Sequence, residues 1–160
     1  MAAERVRRFL DQAGVEYEAD VHPRAVDAQR LAREEHVSGW MVAKPVMLVT
    51  EDDELVMFVI PGPARVDLER AAEVVRQPVR LAREDEFSAV FPDCEPGAEP
   101  PFGNLYGVDV HVDPILGNDS ELVFRAGTHD TAIRIRTQDY LEVIHQVDAP
   151  VAILPELEPR

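Results

Sequence analysis

Trp40-Met41-Val42-Ala43-Lys44-Pro45-Val46-Met47-Leu48-Val49-Thr50, then Glu51-Asp52-Asp53-Glu54, then Leu55-Val56-Met57-Phe58-Val59-Ile60-Pro61: two short apolar runs are joined by four acidic residues. Short runs rich in β-branched residues read as strands, and a polar turn between them makes an antiparallel hairpin the simplest pairing. The acidic connector reads as a solvated turn rather than a metal site, because nothing nearby supplies further ligands. Pro61-Gly62-Pro63 ends the hairpin. Lys44 stands out within it as the only lysine in the chain, the other basic residues all being arginine. An ammonium in an apolar run must shed water, so it depresses its pKa or finds an anion, and Lys44 reads as reaching into a pocket to hold an anionic or carbonyl group of a ligand. The plainer alternative is a strand-edge lysine whose tip reaches solvent.

Downstream of the hairpin, Asp67 caps a helix to about Arg76, Pro78 to Ala82 is a short strand, and Glu84 to Phe91 is a further helical turn or two. Leu105 to Val112 alternates as a strand, Glu121 to Ala126 and Ala132 to Arg136 are two more, and Thr137 caps a last helix through about Val147. Upstream, Val6, Phe9, Leu10 and Ala13 recur at helical spacing and Gly14 stops that helix. Val15 to Val21 alternates as a half-buried strand, and Asp27 caps a short helix through Glu35. The expected fold is a mixed α/β (α+β) single domain over residues 1–150, a mostly antiparallel curved sheet flanked by helices, with a flexible tail over 151–160.

Composition bounds the rest. A chain of 160 residues can bury a full core. No apolar run approaches the roughly 20 residues that span a bilayer, and the start shows no signal-peptide pattern. Cys94 is the only cysteine, which rules out an internal disulfide and fits a reducing cytoplasm. The histidines show no ligand-like spacing with it, so no zinc site is expected. The net charge of −15 repels polyanions and so argues against a nucleic-acid partner, DNA included. In a high-salt cytoplasm, where the Debye length falls to about 3 Å, that charge would act little beyond contact.

Between Pro92 and Gly103 the chain runs Pro-Asp-Cys-Glu-Pro-Gly-Ala-Glu-Pro-Pro-Phe-Gly. So many prolines and glycines make neither helix nor interior strand, and prolines stiffen the loop. A loop of this length in a compact domain is functional or disordered. A third irregular feature is Gly127-Thr128-His129, between two strands.

In order, Val42-Ala43-Lys44, Gly97-Ala98-Glu99-Pro100-Pro101-Phe102-Gly103, Val110-His111-Val112-Asp113 and Phe124-Arg125-Ala126-Gly127-Thr128-His129 resemble the YbaK family. That family is also called the prolyl-tRNA synthetase-associated, or INS-like, editing domain. The likeness runs from the first helix to the last. It departs from the family's usual pattern at Pro45 and in its strong negative charge. It implies hydrolysis of a mischarged aminoacyl-tRNA in trans, with water as nucleophile and no metal or organic cofactor. The implied partner is the aminoacyl-adenosine end of tRNA, with association with an aminoacyl-tRNA synthetase as a further partner, and no membrane. It implies that Lys44 contacts that end and that the Gly-Pro loop frames the pocket. The candidate catalytic set is Lys44, Gly97, Gly127, Thr128 and His129; the candidate substrate-binding set is Trp40, Pro100, Pro101, Phe102 and Gly103.

The residues agree in kind. An activated ester needs positioned water and donors aimed at the developing oxyanion more than strong acid–base catalysis. Backbone N–H groups of the Gly97–Gly103 loop or the Gly127–His129 turn are candidate donors. His129 is a candidate general base, although an idle turn histidine beside Thr128 and Asp130 is the favoured reading. Ser88, His129 and Asp130 lack a nucleophile elbow, and Cys94 has no activating base. Trp40 is core or pocket wall, with stacking on adenine as its alternative role. The arginines at 5, 7, 8 and at 24, 30, 33 are either local RNA contacts or partners of neighbouring acids. A binding module of the same fold, without turnover, is the competing function.

Overall fold

A computed structural model describes residues 2–144 and 151–155. In chain order the elements are α1 (Ala2–Gln12), β1 (Tyr17–Val21), α2 (Ala28–Glu34), β2 (Ala43–Thr50), β3 (Leu55–Pro61), β4 (Arg65–Val66), α3 (Leu68–Val75), β5 (Val79–Leu81), α4 (Glu84–Phe87), β6 (Asp109–Val112), β7 (Glu121–Arg125), β8 (Thr131–Arg136), α5 (Thr137–Ile144) and β9 (Ala152–Ile153). The hairpin forms as the sequence predicts: β2 and β3 are antiparallel, in register from Ala43 opposite Pro61 to Val49 opposite Leu55. It is the centre of a four-stranded sheet ordered β5-β2-β3-β6, where β6 joins β3 in parallel. A second sheet is ordered β1-β8-β7, and a parallel bridge between Val42 and Val123 links the two. The architecture is thus the expected mixed, mostly antiparallel one, divided over separate sheets.

Pro45 lies inside β2 without cost to the ladder. The far edge of β2 is covered by β5 only at Leu48 to Thr50, so among the described residues the edge beside Pro45 has no strand that would need its missing N–H. Caps follow the expected chemistry: the Asp27 side chain accepts from Arg30 N–H and the Asp67 side chain from Glu69 and Arg70 N–H.

Three local expectations are corrected. Trp40 precedes β2 in a short 3-10 turn, Gly39–Met41, held by the Ser38 hydroxyl. The strand expected over 105–112 is shortened to Asp109–Val112, because Gly103–Tyr106 closes a 3-10 turn that ends on Gly107. Thr137 begins α5 but does not cap it; its hydroxyl donates to the Asp119 carbonyl. The stretch of that helix expected beyond Ile144 lies outside the described residues.

The tail expected to fray after Pro150 is instead held at its start. Val151 is fully buried, and its N–H and that of Ala152 both donate to one Asp113 carboxylate oxygen, at 2.7 and 2.8 Å. Ala152 and Ile153 then pair with β4. Asp113, which reads in sequence as a strand-ending turn, therefore ties the 151–152 segment to its own turn, since its other oxygen accepts Ile115 N–H. Residues 156–160 lie outside the described residues.

The main core gathers Val6 and Leu10 of α1, Met57 and Val59 of β3, Phe124 of β7, Ile133 and Ile135 of β8, Tyr140 of α5, and Phe91 and Phe102 from the loops. A second cluster, with Leu48, Phe58, Ile60, Ala64, Ala71 and Val151, fills the other face of the hairpin. Side chains alternate along β2, so Lys44 points to the same face as Val46 and Leu48. At that end of the strand the Pro61–Ala64 turn, which carries Ala64 of this cluster, stands beside it. Among the described residues, no helix is long and apolar enough to cross a membrane.

Candidate functional site

Lys44 is half-buried, and its ammonium donates to the carbonyls of Gly62 at 3.0 Å and Ala64 at 2.6 Å. Its partners come from the Pro-Gly turn that ends the hairpin, not from the loop at 96–103. Gly62 is required there by close approach: a Cβ would stand 2.8 Å from the Gly39 carbonyl oxygen and 3.1 Å from the Ala28 methyl. Burial pulls the Lys44 pKa below the usual lysine range. An ammonium has three N–H donors, so one remains after the two carbonyls are served.

Lys44 lines a cleft of about 420 Å³ whose wall also includes Val26, Asp27, Gly62, Gly97, Glu99 and Arg125. The structure therefore brings together Lys44 and Gly97, two of the expected site residues. Glu99 and Arg125 are functional candidates the sequence reading did not select. Glu99 is only 5% exposed and Arg125 only 8%. Burial raises the Glu99 pKa and lowers that of Arg125, each against its charged form. The Arg125 guanidinium donates from Nη2 to the Ala25 carbonyl at 2.9 Å, while its buried Nε has no partner. The sequence signal for Arg125 is a charged residue at the end of an apolar stretch; that for Glu99 is only its place in a stiff loop.

The loop and the turn are sewn together by backbone. Glu95 N–H donates to the Gly127 carbonyl at 2.7 Å, and Gly127 N–H donates to the Ala98 carbonyl at 2.9 Å. Gly97 N–H donates to the Glu99 carboxylate and His129 N–H to the Glu95 carboxylate. Of the amides expected to face an oxyanion, those of Gly97, Ala98, Gly127 and His129 are thus engaged within the scaffold itself. Gly127 holds a left-handed φ of +104°, and a Cβ there would run into Ala2 of α1.

His129 is a bracket. Its Nε2 lies 2.9 Å from the Pro96 carbonyl oxygen, an acceptor only, so Nε2 carries the proton. Its Nδ1 is buried without a partner. Neither nitrogen presents a lone pair to the cleft, and a general base needs one. Thr128 is occupied beside it, its hydroxyl 2.6 Å from Asp130 and 2.7 Å from Thr131. Neither residue lines the cleft of Lys44.

The expected substrate-binding set is dispersed. Phe102 is fully buried and packs edge-on against Phe9, Phe124 and Tyr140. The Pro101 carbonyl accepts the Tyr140 hydroxyl at 2.7 Å. Pro100 and Gly103 are buried as well, Gly103 against Val108 and Val110. These residues anchor the loop in the core and leave its Gly97–Glu99 arm at the cleft. Trp40 is buried in the wall of a neighbouring cleft of about 600 Å³, with Arg33 and Ser38. The two clefts share Ala28, Gln29 and Gly62.

Electrostatics around the cleft are mostly settled internally. Arg5 pairs with Asp93 at 3.1 Å, Arg24 with Glu95 at 3.0 Å and Arg30 with Asp27 at 3.7 Å. Burial pushes the Cys94 thiol up to about 12, away from nucleophilic use. Among the described residues no group of three His, Cys, Asp or Glu side chains could hold a metal ion.

The family model of the aminoacyl-tRNA editing domain matches residues 22–143. The crystal structure of the hypothetical protein APE2540 superposes with a TM-score of 0.86 at 21% identity, covering 93% of this chain and 99% of that one. The crystal structure of a "putative trans-editing enzyme for prolyl tRNA synthetase" superposes with a TM-score of 0.82 at 21% identity, covering 95% and 97%. At such identities the likeness is one of fold. No curated protein sequence matches the chain.

Proposed function

Since this chain belongs to the aminoacyl-tRNA editing domain family, we propose that it hydrolyses the ester of a mischarged aminoacyl-tRNA in the cleft beside Lys44, releasing amino acid and tRNA. The observation that carries this reading is the half-buried Lys44 ammonium, fixed by two carbonyls and left with one N–H in a cleft walled by Gly97, Glu99 and Arg125. Water attacks the ester carbonyl, the remaining N–H of Lys44 supports the terminal phosphate or the developing oxyanion, and the C–O bond breaks as the ribose oxygen takes up a proton from the attacking water and leaves as a hydroxyl. A pre-fixed donor is worth most in a site partly withdrawn from water, because it need not reorganise during the reaction.

The roles within the expected site divide accordingly. Lys44 and Gly97 stand at the cleft. Gly127 and His129 hold the loop in place, Thr128 bonds within its own turn, and Pro101 and Phe102 root the loop in the core. A rigid cleft of this size selects acyl groups by bulk, which is the kind of discrimination a synthetase lacks when one methylene gives only about 1–3 kcal/mol.

Incubation with a panel of mischarged tRNAs tests the reading. The expected result is release of a small amino acid from at least one of them, with Lys44→Ala removing most of the activity. Survival of every ester, together with binding of an uncleavable aminoacyl-adenosine analogue, would select a binding module of the same fold instead.

A further inference from the structure

Glu99 is unusual among the acids of the 92–103 loop and of the cleft wall. Asp93, Glu95 and Asp27 each have an arginine partner. Glu99 is more buried than any of these, yet among the described residues no basic side chain forms a salt bridge with it. Its donors are the Gly97 N–H at 3.1 Å and its own amide, both from the loop that carries it. A carboxylate has about four acceptor sites, and taking one out of water is costly unless a cation or further donors replace the lost hydration. Arg125 lines the same cleft, but its Nη2 is turned to the Ala25 carbonyl. The other acid in the wall, Asp27, is spent on capping α2.

An aminoacyl ester of tRNA carries one cationic group in its reacting portion, the α-ammonium of the amino acid. Lys44 and Arg125 cannot bind it, being cations themselves. We propose that Glu99 receives the α-ammonium of the aminoacyl group, so that the cleft takes acyl groups bearing a free α-amine and discriminates against acylated or deaminated ones. This assignment rests on the editing reading above and deepens it. It gives the cleft two opposite poles: Lys44 for the phosphate or carbonyl oxygen, and Glu99 for the amine. A carboxylate serving only to staple Gly97 would do no more than a neutral acceptor, which could be buried at lower cost.

Calorimetric binding of two uncleavable probes tests this: 3′-deoxy-3′-(L-alanylamino)adenosine and 3′-deoxy-3′-(propanoylamino)adenosine, which lacks only the amine. The expected result is at least about tenfold tighter binding of the alanyl probe, as one charge-assisted contact supplies. Glu99→Gln, which preserves shape and an acceptor for Gly97 N–H, brings the ratio to within about twofold by weakening the alanyl probe. Should that variant fail to fold, the wild-type protein still decides: the ratio must shrink as pH rises past about 8, where an α-amine loses its proton. Equal affinities at neutral pH, or no binding of either probe, would overturn the assignment. Deacylation of alanyl-tRNA is measured alongside. A preserved ratio without deacylation sinks the hydrolase reading and leaves Glu99 its role; deacylation with a ratio near one does the reverse.

Discussion

The Lys44 ammonium lies 2.6 Å from the carbonyl oxygen of Ala64, twenty residues further along the chain, and 3.0 Å from that of Gly62. The hairpin's own terminal turn thus holds the cation that the proposed chemistry uses. Burial lowers the pKa of Lys44, and this has two consequences of opposite sign. The unfolded chain keeps this proton to higher pH than the folded one, so the contribution of Lys44 to stability improves as pH rises through that window. Ligand binding needs the ammonium, which is present below the folded pKa and lost above it. The propanoylamino probe, which has no amine of its own, is therefore expected to bind less tightly as pH rises, with a midpoint below the ordinary lysine range. Lys44→Ala should bind it weakly at every pH, and a wild-type midpoint at or above that of a free lysine would contradict the burial argument.

His129 offers a sharper contrast. With Nε2–H given to the Pro96 carbonyl and Nδ1 sealed from solvent, its role is to brace the turn. His129→Gln retains a donor that can reach Pro96, so the variant is expected to keep more than about a tenth of wild-type deacylation. Loss of a true general base costs typically 10²- to 10⁴-fold. Initial rates on one mischarged tRNA decide between these.

Gly127→Ala addresses the joint between turn, loop and first helix. A φ of +104° is strained for any residue with a Cβ, and that Cβ would meet Ala2 of α1. Strain of this kind costs about 1–3 kcal/mol, and the collision adds to it. The expected loss is at least about 2 kcal/mol, or roughly 4–8 °C in Tm for a chain of this length. Adding Ala2→Gly removes the opposing methyl and should recover part of the loss. Unchanged melting in the single variant would show that α1 yields freely.

The hairpin, the caps at Asp27 and Asp67 and the irregular loop were legible because each is encoded within a few neighbouring residues: alternation, an Asx side chain, a cluster of prolines. Lys44 was legible as an anomaly, but its carbonyl partners lie across a hairpin and could not be read from spacing. Glu99 and Arg125 were missed for a related reason. Whether a charged side chain is buried depends on which distant segments pack over it, here the Ala25–Asp27 segment and the 127–129 turn. Trp40 and Phe102 adjoin Lys44 and the Gly-Pro loop in sequence, and that adjacency alone places them in the expected site. Phe102 instead packs into the aromatic cluster of Phe9, Phe124 and Tyr140. The anchoring of Val151 by Asp113 was hidden likewise, since a carboxylate can reach a segment 38 residues away only once the fold exists.

The placement of Phe102 carries a test that separates core from binding wall. A substrate contact truncated to alanine would raise KM and leave the melting temperature nearly unchanged. Phe102 instead packs against Phe9, Phe124 and Tyr140 with no exposed surface, and Phe→Ala in a core costs about 3–5 kcal/mol. Phe102→Ala is therefore expected to destabilise the protein by that amount in urea unfolding. Tyr140→Phe isolates the other anchor: it keeps the ring and strips the hydroxyl from the buried Pro101 carbonyl, at a cost of about 1–3 kcal/mol. Both changes loosen the root of the Gly97–Glu99 arm without touching the cleft, so activity at a temperature well below melting should fall less than in Lys44→Ala. A KM effect of Phe102→Ala without loss of stability would return that residue to the binding wall and require the loop to turn outward when substrate is bound.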